Sequence, residues 1–286
     1  MENNKDQAFD VIVLAGQSNA EGNGIKKDKT EFLSDDVYQV IDKNYIGLKT
    51  LDDGKVIIEM VYPTEIVFEK AHERSDGKGG SLADFSETFA KRYIEDGRLI
   101  NGRKILIVKT AVGGTGFARN EWGIGSPLYE RLRYMLDYAL GLNKKNRVVA
   151  LLWHQGECDA FENAQFSNAE RFDFYYKNFV AQTEDFRKKY GENIPVIAGE
   201  FIDSWAELPE NKNNCDVVES ALYSATGDMG NAKTVSSKGL ISNDEAFHNG
   251  DNVHFCAESL YELGKRYYSA FSEIVKGGKK ANDNLA

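Results

Sequence analysis

Short, almost wholly apolar runs separated by longer amphipathic stretches set the pattern of this chain. Residues 9–16 read Phe-Asp-Val-Ile-Val-Leu-Ala-Gly, which predicts a strand buried on both faces and ending at a glycine. Residues 104–109, 147–153 and 195–199 carry the same signal, and a shorter strand is predicted near 233–236. Between these runs the apolar positions recur at helical spacing. Ser126-Pro127 opens a helix to about Leu142, with proline at the first helical position. Further helices are predicted over 168–190, 215–225 and 256–276. Ser81 is expected to cap a helix running to about Glu95, with Asp84 in the capping-box position.

Residues 37–80 interrupt this alternation. Positions 38–41 and 56–62 are strand-like, and Asp53-Gly54 predicts a turn between 48–51 and the second run. The segment reads as an antiparallel excursion near a sheet edge, followed by a polar, glycine-rich loop from His72 to Gly80. Elsewhere strand and helix alternate. That implies right-handed crossovers and an α/β fold with a mostly parallel sheet covered by helices on both faces. In such sheets ligands bind beyond the carboxyl ends of the strands.

The 286 residues suit one large domain, taken here as 1–286. Hydrophobic residues make up 42%, and the four prolines and lack of low-complexity tracts argue against linkers. A net charge of −10 disfavours nucleic acid and anionic membranes as partners. No apolar stretch approaches the ~20 residues that span a bilayer. The polar residues 1–8 lack a signal-peptide pattern, so the chain as it stands is expected in the cytoplasm, or outside it had a leader been removed. Cys158, Cys215 and Cys256 make neither a disulfide framework nor a zinc pattern, and no metal or organic cofactor is called for.

Four segments at predicted strand ends or in loops carry chemistry. Ser18 follows the glycine that ends the first strand, where its hydroxyl can act as a nucleophile and the amides of the next turn can face an oxyanion. The plainer reading of Ser18 alone is a helix cap. Asp251 lies three residues before His254, within reach of the imidazole nitrogen turned away from a serine. His248 has no carboxylate at that spacing, and His72 sits in a polar loop. Gly113-Gly114-Thr115 allows close backbone approach and offers an amide donor. Gln155 is a candidate third donor, with Glu157 and Asp159 as acids in the same loop. His154 has no partners at metal-ligand spacing and reads as structural. Each signal is weak alone; together, in this order and at strand ends, they describe a serine hydrolase.

The nine residues from Leu14 to Gly22 resemble the nucleophile block of the SGNH-hydrolase superfamily, and more narrowly its branch of sialate O-acetylesterases and family-six acetylxylan esterases. Ala111-Val112-Gly113-Gly114-Thr115 with Trp122, Trp153-His154-Gln155-Gly156-Glu157-Cys158-Asp159, and Asp251-Asn252-Val253-His254 resemble the three other blocks of that branch. The resemblance covers about 9–271. It implies a three-layer α/β/α, flavodoxin-like fold, with Ser18 as nucleophile, His254 as base and then acid, and Asp251 as orienting acid. It also implies an oxyanion hole from the Ser18 amide, the Gly113 or Gly114 amide and the Gln155 side chain, with Glu157 as a rival acid or substrate contact. Gln155 stands where the wider superfamily has Asn, as in the narrower branch. Cys158 replaces a small Ser or Ala. Residues 37–80 align with no block.

The expected function is removal of acetyl groups from sugar hydroxyls, on acetylated xylan or xylo-oligosaccharide or on O-acetyl sialic acid, through an acetyl-enzyme. Gln17, Asn19, Arg119 and Trp122 are candidate substrate contacts, and Arg119 and Arg74 are candidates to receive a sialate carboxylate. A general short-acyl esterase or thioesterase, or a non-catalytic carbohydrate-binding relative, are the alternatives. The second would be expected to have lost Ser18 or His254, and both are present.

Overall fold

A computed structural model describes residues 7–26, 34–43, 47–50, 56–59, 65–78, 80–100, 102–162 and 164–283. The chain begins with strand β1 (Phe9–Gly16), the one-turn helix α1 (Ser18–Glu21), β2 (Gly24–Ile25) and β3 (Val37–Asp42). There follow β4 (Gly47–Thr50), β5 (Val56–Glu59), β6 (Ile66–Lys70), β7 (Arg74–Ser75), β8 (Ser81–Ala83) and α2 (Ser86–Glu95). The middle holds β9 (Lys104–Lys109), α3 (Pro127–Gly141), β10 (Arg147–His154), α4 (Glu157–Phe161) and α5 (Asn168–Tyr190). The last third holds β11 (Val196–Gly199), α6 (Asp203–Ala206), α7 (Lys212–Asp228), β12 (Ala232–Val235), α8 (Asn243–Phe247) and α9 (Ala257–Asp283).

Seven strands form the central sheet in the order β12-β11-β10-β1-β9-β3-β6. Only β6 runs antiparallel, against β3 at the edge. Without β3 and β6, the five remaining strands follow the flavodoxin-like order 2-1-3-4-5. β1 lies at the centre, between β9 and β10, so its residues must be apolar on both faces; Val11, Ile12, Val13 and Leu14 are all buried. Helices flank the sheet, α2 packing with α9 and α5 with α7. The α/β/α expectation therefore holds, and the carboxyl ends of β9, β1 and β10 lie side by side.

The excursion before β9 does supply the antiparallel edge strand, but it contributes more than that. β4 and β5 pair as a hairpin, Thr50 opposite Val56, while its expected turn at 53–54 lies outside the described residues. Residues 60–62 of the expected second strand lie outside them too. Within the expected polar loop, β7 pairs with β8, and β8 pairs with β2. This overturns the helix start at Ser81. Ser81–Ala83 is a strand, and Asp84 instead accepts from the Ser86 amide at 2.7 Å, so the helix begins four residues later than expected, at Ser86.

Gly16 is where the strand is allowed to become the turn that carries Ser18. Its φ is +127°, and a Cβ there would lie 2.0 Å from the carbonyl oxygen of His154, its partner on β10. Gly16→Ala should therefore cost at least ~3 kcal/mol or prevent folding. Gly97→Ala, at a φ of +65° with nothing within 4 Å of the new methyl, should cost only ~1 kcal/mol. Thermal unfolding followed by circular dichroism separates them; equal losses would show that φ alone, and not the close approach to β10, sets the requirement.

Candidate active site

The turn after β1 fixes Ser18. The Gln17 amide donates to the His154 carbonyl at 2.9 Å, and the Ala20 and Glu21 amides turn back onto the Gln17 carbonyl at 2.9 and 2.8 Å. Ser18 is therefore the first residue of α1, with Gln17 rather than Ser18 in the cap position. Its amide has no protein acceptor among the described residues. Ser18 lines a cleft of about 650 Å³ whose walls include Gly114, Arg119, Glu157, Phe161, Val253 and His254. The segments that resemble the four blocks thus meet at one opening, beyond the carboxyl ends of β1, β9 and β10.

His254 is held by Asp251 as its spacing suggested. Nδ1 lies 2.9 and 3.0 Å from the two carboxylate oxygens, and the His254 amide also donates to Oδ1 at 3.3 Å. Nε2 is left as the nitrogen available to the cleft. Burial works against the Asp251 charge, but hydrogen bonds from His254 and Asn243 hold its carboxyl below the usual carboxylate range. Asn243 is a positioning residue not identified from sequence. Its Nδ2 donates to Asp251 Oδ2 at 2.8 Å and to the Asn23 carbonyl at 2.9 Å, and its Oδ1 accepts from the Ile25 amide at 3.0 Å. The signal that could have found it is Ser242 with Glu245 three residues on, a capping box that starts α8 and seats Asn243 at its first position. His248, the rival histidine, is an exposed left-handed C-cap of α8.

The third block behaves differently from its expectation. Gln155 is fully buried and does not line the cleft. Its Nε2 donates to Asp159 Oδ2 at 2.5 Å and to the Thr115 carbonyl at 3.1 Å, so it is not free to receive an oxyanion. Burial raises Asp159 to about 6 against the bonds from Gln155, Ala118 and Phe117. Glu157 does reach the cleft wall, but burial raises it, and its Oε1 accepts from Asn19 at 3.1 Å. It makes no hydrogen bond to His254 among the described residues, so Asp251 is the carboxylate that bonds the imidazole in this geometry. His154 is structural, as its surroundings in sequence suggested. Tyr267 donates to the Trp153 carbonyl at 2.8 Å and so receives the His154 Nδ1 proton at 3.1 Å. Complete burial lowers the His154 pKa to about 3, which keeps that ring neutral.

In the second block, the loop from Val112 to Thr115 is pinned nearly everywhere. Val112 N donates to the Gly16 carbonyl at 3.0 Å, and the Thr115 hydroxyl donates to the Val112 carbonyl at 2.7 Å. Trp122 Nε1 donates in turn to that hydroxyl at 2.9 Å. Trp122 is thus a buried prop for the loop and not a substrate contact. The Gly113 amide is taken by Glu21 Oε2 at 2.7 Å, whereas the Gly114 amide has no protein acceptor among the described residues. Of the two glycines named as oxyanion donors, only Gly114 offers an unengaged N–H.

The remaining candidates divide. Asn19 is fully buried and serves as a tie between segments. Gln17 borders the cleft, with its Oε1 accepting from the Cys158 amide at 3.1 Å. Arg119 also borders it, bound to Glu162 at 2.8 Å and to the Gly114 carbonyl at 3.0 Å. Arg74 lies outside the cleft and pairs with Glu21 at 3.0 Å. The three cysteines are free and buried; Cys158 reaches the cleft wall, and burial raises its thiol.

Asp159 gives a pH test of this buried network. Its folded pKa is raised above its unfolded value, so its contribution to stability is fully present below about pH 4 and is lost as pH rises through about 6. Asp159→Asn removes that loss. The stability of the variant relative to the wild type should therefore rise between pH 4.5 and 7.5 in urea unfolding; a pH-independent difference would contradict a raised Asp159.

No curated protein matches this chain. Among solved structures, NanS is similar, with a TM-score of 0.69 at 16% identity over 95% of this chain and 98% of its own. A protein from Arabidopsis thaliana is similar with a TM-score of 0.61 at 18% identity, covering 93% and 98% of the two chains. A carbohydrate acetylesterase from Xanthomonas citri gives 0.59 at 15% identity, covering 94% of this chain but 56% of that one. At these identities the likeness is one of fold. The family described as "carbohydrate esterase, sialic acid-specific acetylesterase" matches residues 8–273, nearly the whole chain. The chain therefore belongs to the family of sialic acid-specific acetylesterases among the carbohydrate esterases and is a carboxylic ester hydrolase.

Proposed function

We propose that this carbohydrate acetylesterase works as a serine hydrolase that removes O-acetyl groups from a sugar. The observation that carries the reading is the Asp251–His254 pair, bonded through Nδ1 at 2.9 Å and opening on the same cleft as Ser18. Asp251 fixes the tautomer with the proton on Nδ1, so Nε2 can take the Ser18 proton as the hydroxyl attacks the acetyl carbonyl. The oxyanion of the tetrahedral intermediate is stabilised by the amides of Ser18 and Gly114, whose N–H groups have no other acceptor among the described residues. His254 returns the proton to the departing sugar oxygen, leaving acetyl-Ser18. Water activated by the same Nε2 then releases acetate. The neutral, buried His154 cannot play this part, because burial opposes the imidazolium that must form.

A cleft of about 650 Å³ is far larger than an acetyl group requires, which supports a bulky alcohol such as a sugar. The family description favours O-acetyl sialic acid, and acetylated xylo-oligosaccharides are the second substrate to try. Ser18→Ala should reduce p-nitrophenyl acetate hydrolysis by at least ~10³-fold, and Asp251→Asn by ~10²–10⁴-fold, with the fold intact by circular dichroism. Acetate release from both sugar classes then ranks them. Ser18→Ala at the wild-type rate would sink the serine mechanism, and activity on simple esters but on neither sugar would remove the substrate assignment.

A further inference from the structure

Glu21 has no role in the chemistry above, yet its carboxylate stands against the second glycine loop. Oε2 accepts the Gly113 amide at 2.7 Å, and Oε1 pairs with Arg74 Nη1 at 3.0 Å. Arg74 is held in turn, donating to the Gly22 carbonyl at 3.1 and 2.8 Å and also to Asn23 Oδ1. Asn23 Nδ2 returns to the Ser18 carbonyl at 2.8 Å. A continuous set of polar contacts thus joins the nucleophile turn to a loop some ninety residues away in sequence. The approach is close. A Cβ on Gly113 would lie 2.9 Å from Glu21 Oε2 and 3.4 Å from Ser18 Cβ.

We propose that Glu21 is a positioning residue that sets the direction of the Gly114 amide, and so the shape of the oxyanion pocket. The inference rests on the serine-hydrolase reading above. Peptide units are rigid planes, so a loop is specified by the orientation of each plane. The plane joining Val112 to Gly113 is fixed at both ends, by the Thr115 hydroxyl on the Val112 carbonyl and by Glu21 on the Gly113 amide. The plane joining Gly114 to Thr115 is fixed by Arg119 on the Gly114 carbonyl. The plane between them carries the Gly114 N–H. Among the described residues it has no protein partner of its own, so its neighbours alone orient it. With glycine on each side it has wide freedom once a neighbour is released. A donor contributes to catalysis only if it is already aimed where the charge develops. The negative charge of Glu21 works against a nearby oxyanion, and the Arg74 pairing offsets it. It is therefore the position of the acceptor oxygen, and not the charge, that matters.

Three variants separate these terms, with p-nitrophenyl acetate as the probe and wild type and Ser18→Ala in the same assay. Glu21→Ala removes the acceptor and should lower kcat ~10–100-fold while leaving KM within ~2-fold. Glu21→Gln keeps an oxygen at the same reach and should stay within ~3-fold of wild type. Glu21→Asp keeps the charge but withdraws the oxygen by one methylene, and should resemble Glu21→Ala; it also keeps the test decisive if the alanine variant fails to fold. Glu21→Ala at or above the wild-type kcat would overturn the proposal. In that case the carboxylate merely occupies Gly113, with a cavity of about 170 Å³ behind it into which it can retreat. Glu21→Gln as impaired as Glu21→Ala would also overturn it, by making charge the cause. A Ser18→Ala rate equal to wild type would instead bring down the hydrolase reading, and this inference with it.

Discussion

Three of the four chemical segments are tied together by a single side-chain amide. Asn19 follows the proposed nucleophile and is completely buried. Its Nδ2 donates to Glu157 of the third segment and to the Val253 carbonyl of the terminal loop, both at 3.1 Å, while its Oδ1 accepts the Phe255 amide at 3.1 Å. The bonds to Glu157 and Phe255 form away from water, where an unsatisfied partner is costly. This makes the relative placement of Ser18, Glu157 and His254 a property of one carboxamide. Asparagine alone offers two donors and an acceptor on so short a stem; aspartate would set a second buried carboxylate against Glu157.

The same argument separates what sequence could show from what it could not. The strands were legible because β1, β9, β10 and β11 must be apolar on both faces to sit inside a parallel sheet. The residues proposed as nucleophile, base and acid could be picked out because few residue types suit those tasks, and Asp251 and His254 are near enough in sequence for their spacing to be informative. The roles of Gln155, Trp122 and Asn19 were not. Their residue types suit substrate contact and structural bonding equally, and only the direction in which each side chain points decides. Gln155 points back to Asp159, Trp122 to Thr115, and Asn19 between segments. Ser81 failed for another reason: a serine ahead of an amphipathic run also suits a strand, and the pairing of β8 with β2 and β7 is invisible to local pattern.

Charge around the cleft follows a rule of its own. Glu157, Asp159 and Glu121 all lie within or beneath its walls, and burial raises each of them. Asp251 is the exception, held low by His254 and Asn243. The proposed chemistry, which forms both an imidazolium and an oxyanion, is served by this division. The carboxylate whose ionised form is favoured sits behind the histidine, and burial disfavours the charge of the other three.

The tie through Asn19 also bears on how the protein is made. Its partner at Phe255 lies 236 residues downstream, and the histidine of the proposed catalytic pair is residue 254 of 286. A ribosome synthesises the serine 236 residues before its proposed base. Until then the emerging polypeptide holds Ser18 without that base and Asn19 without two of its three partners. A growing chain that stops short of His254 therefore lacks the proposed base, however much of the sheet it has already formed.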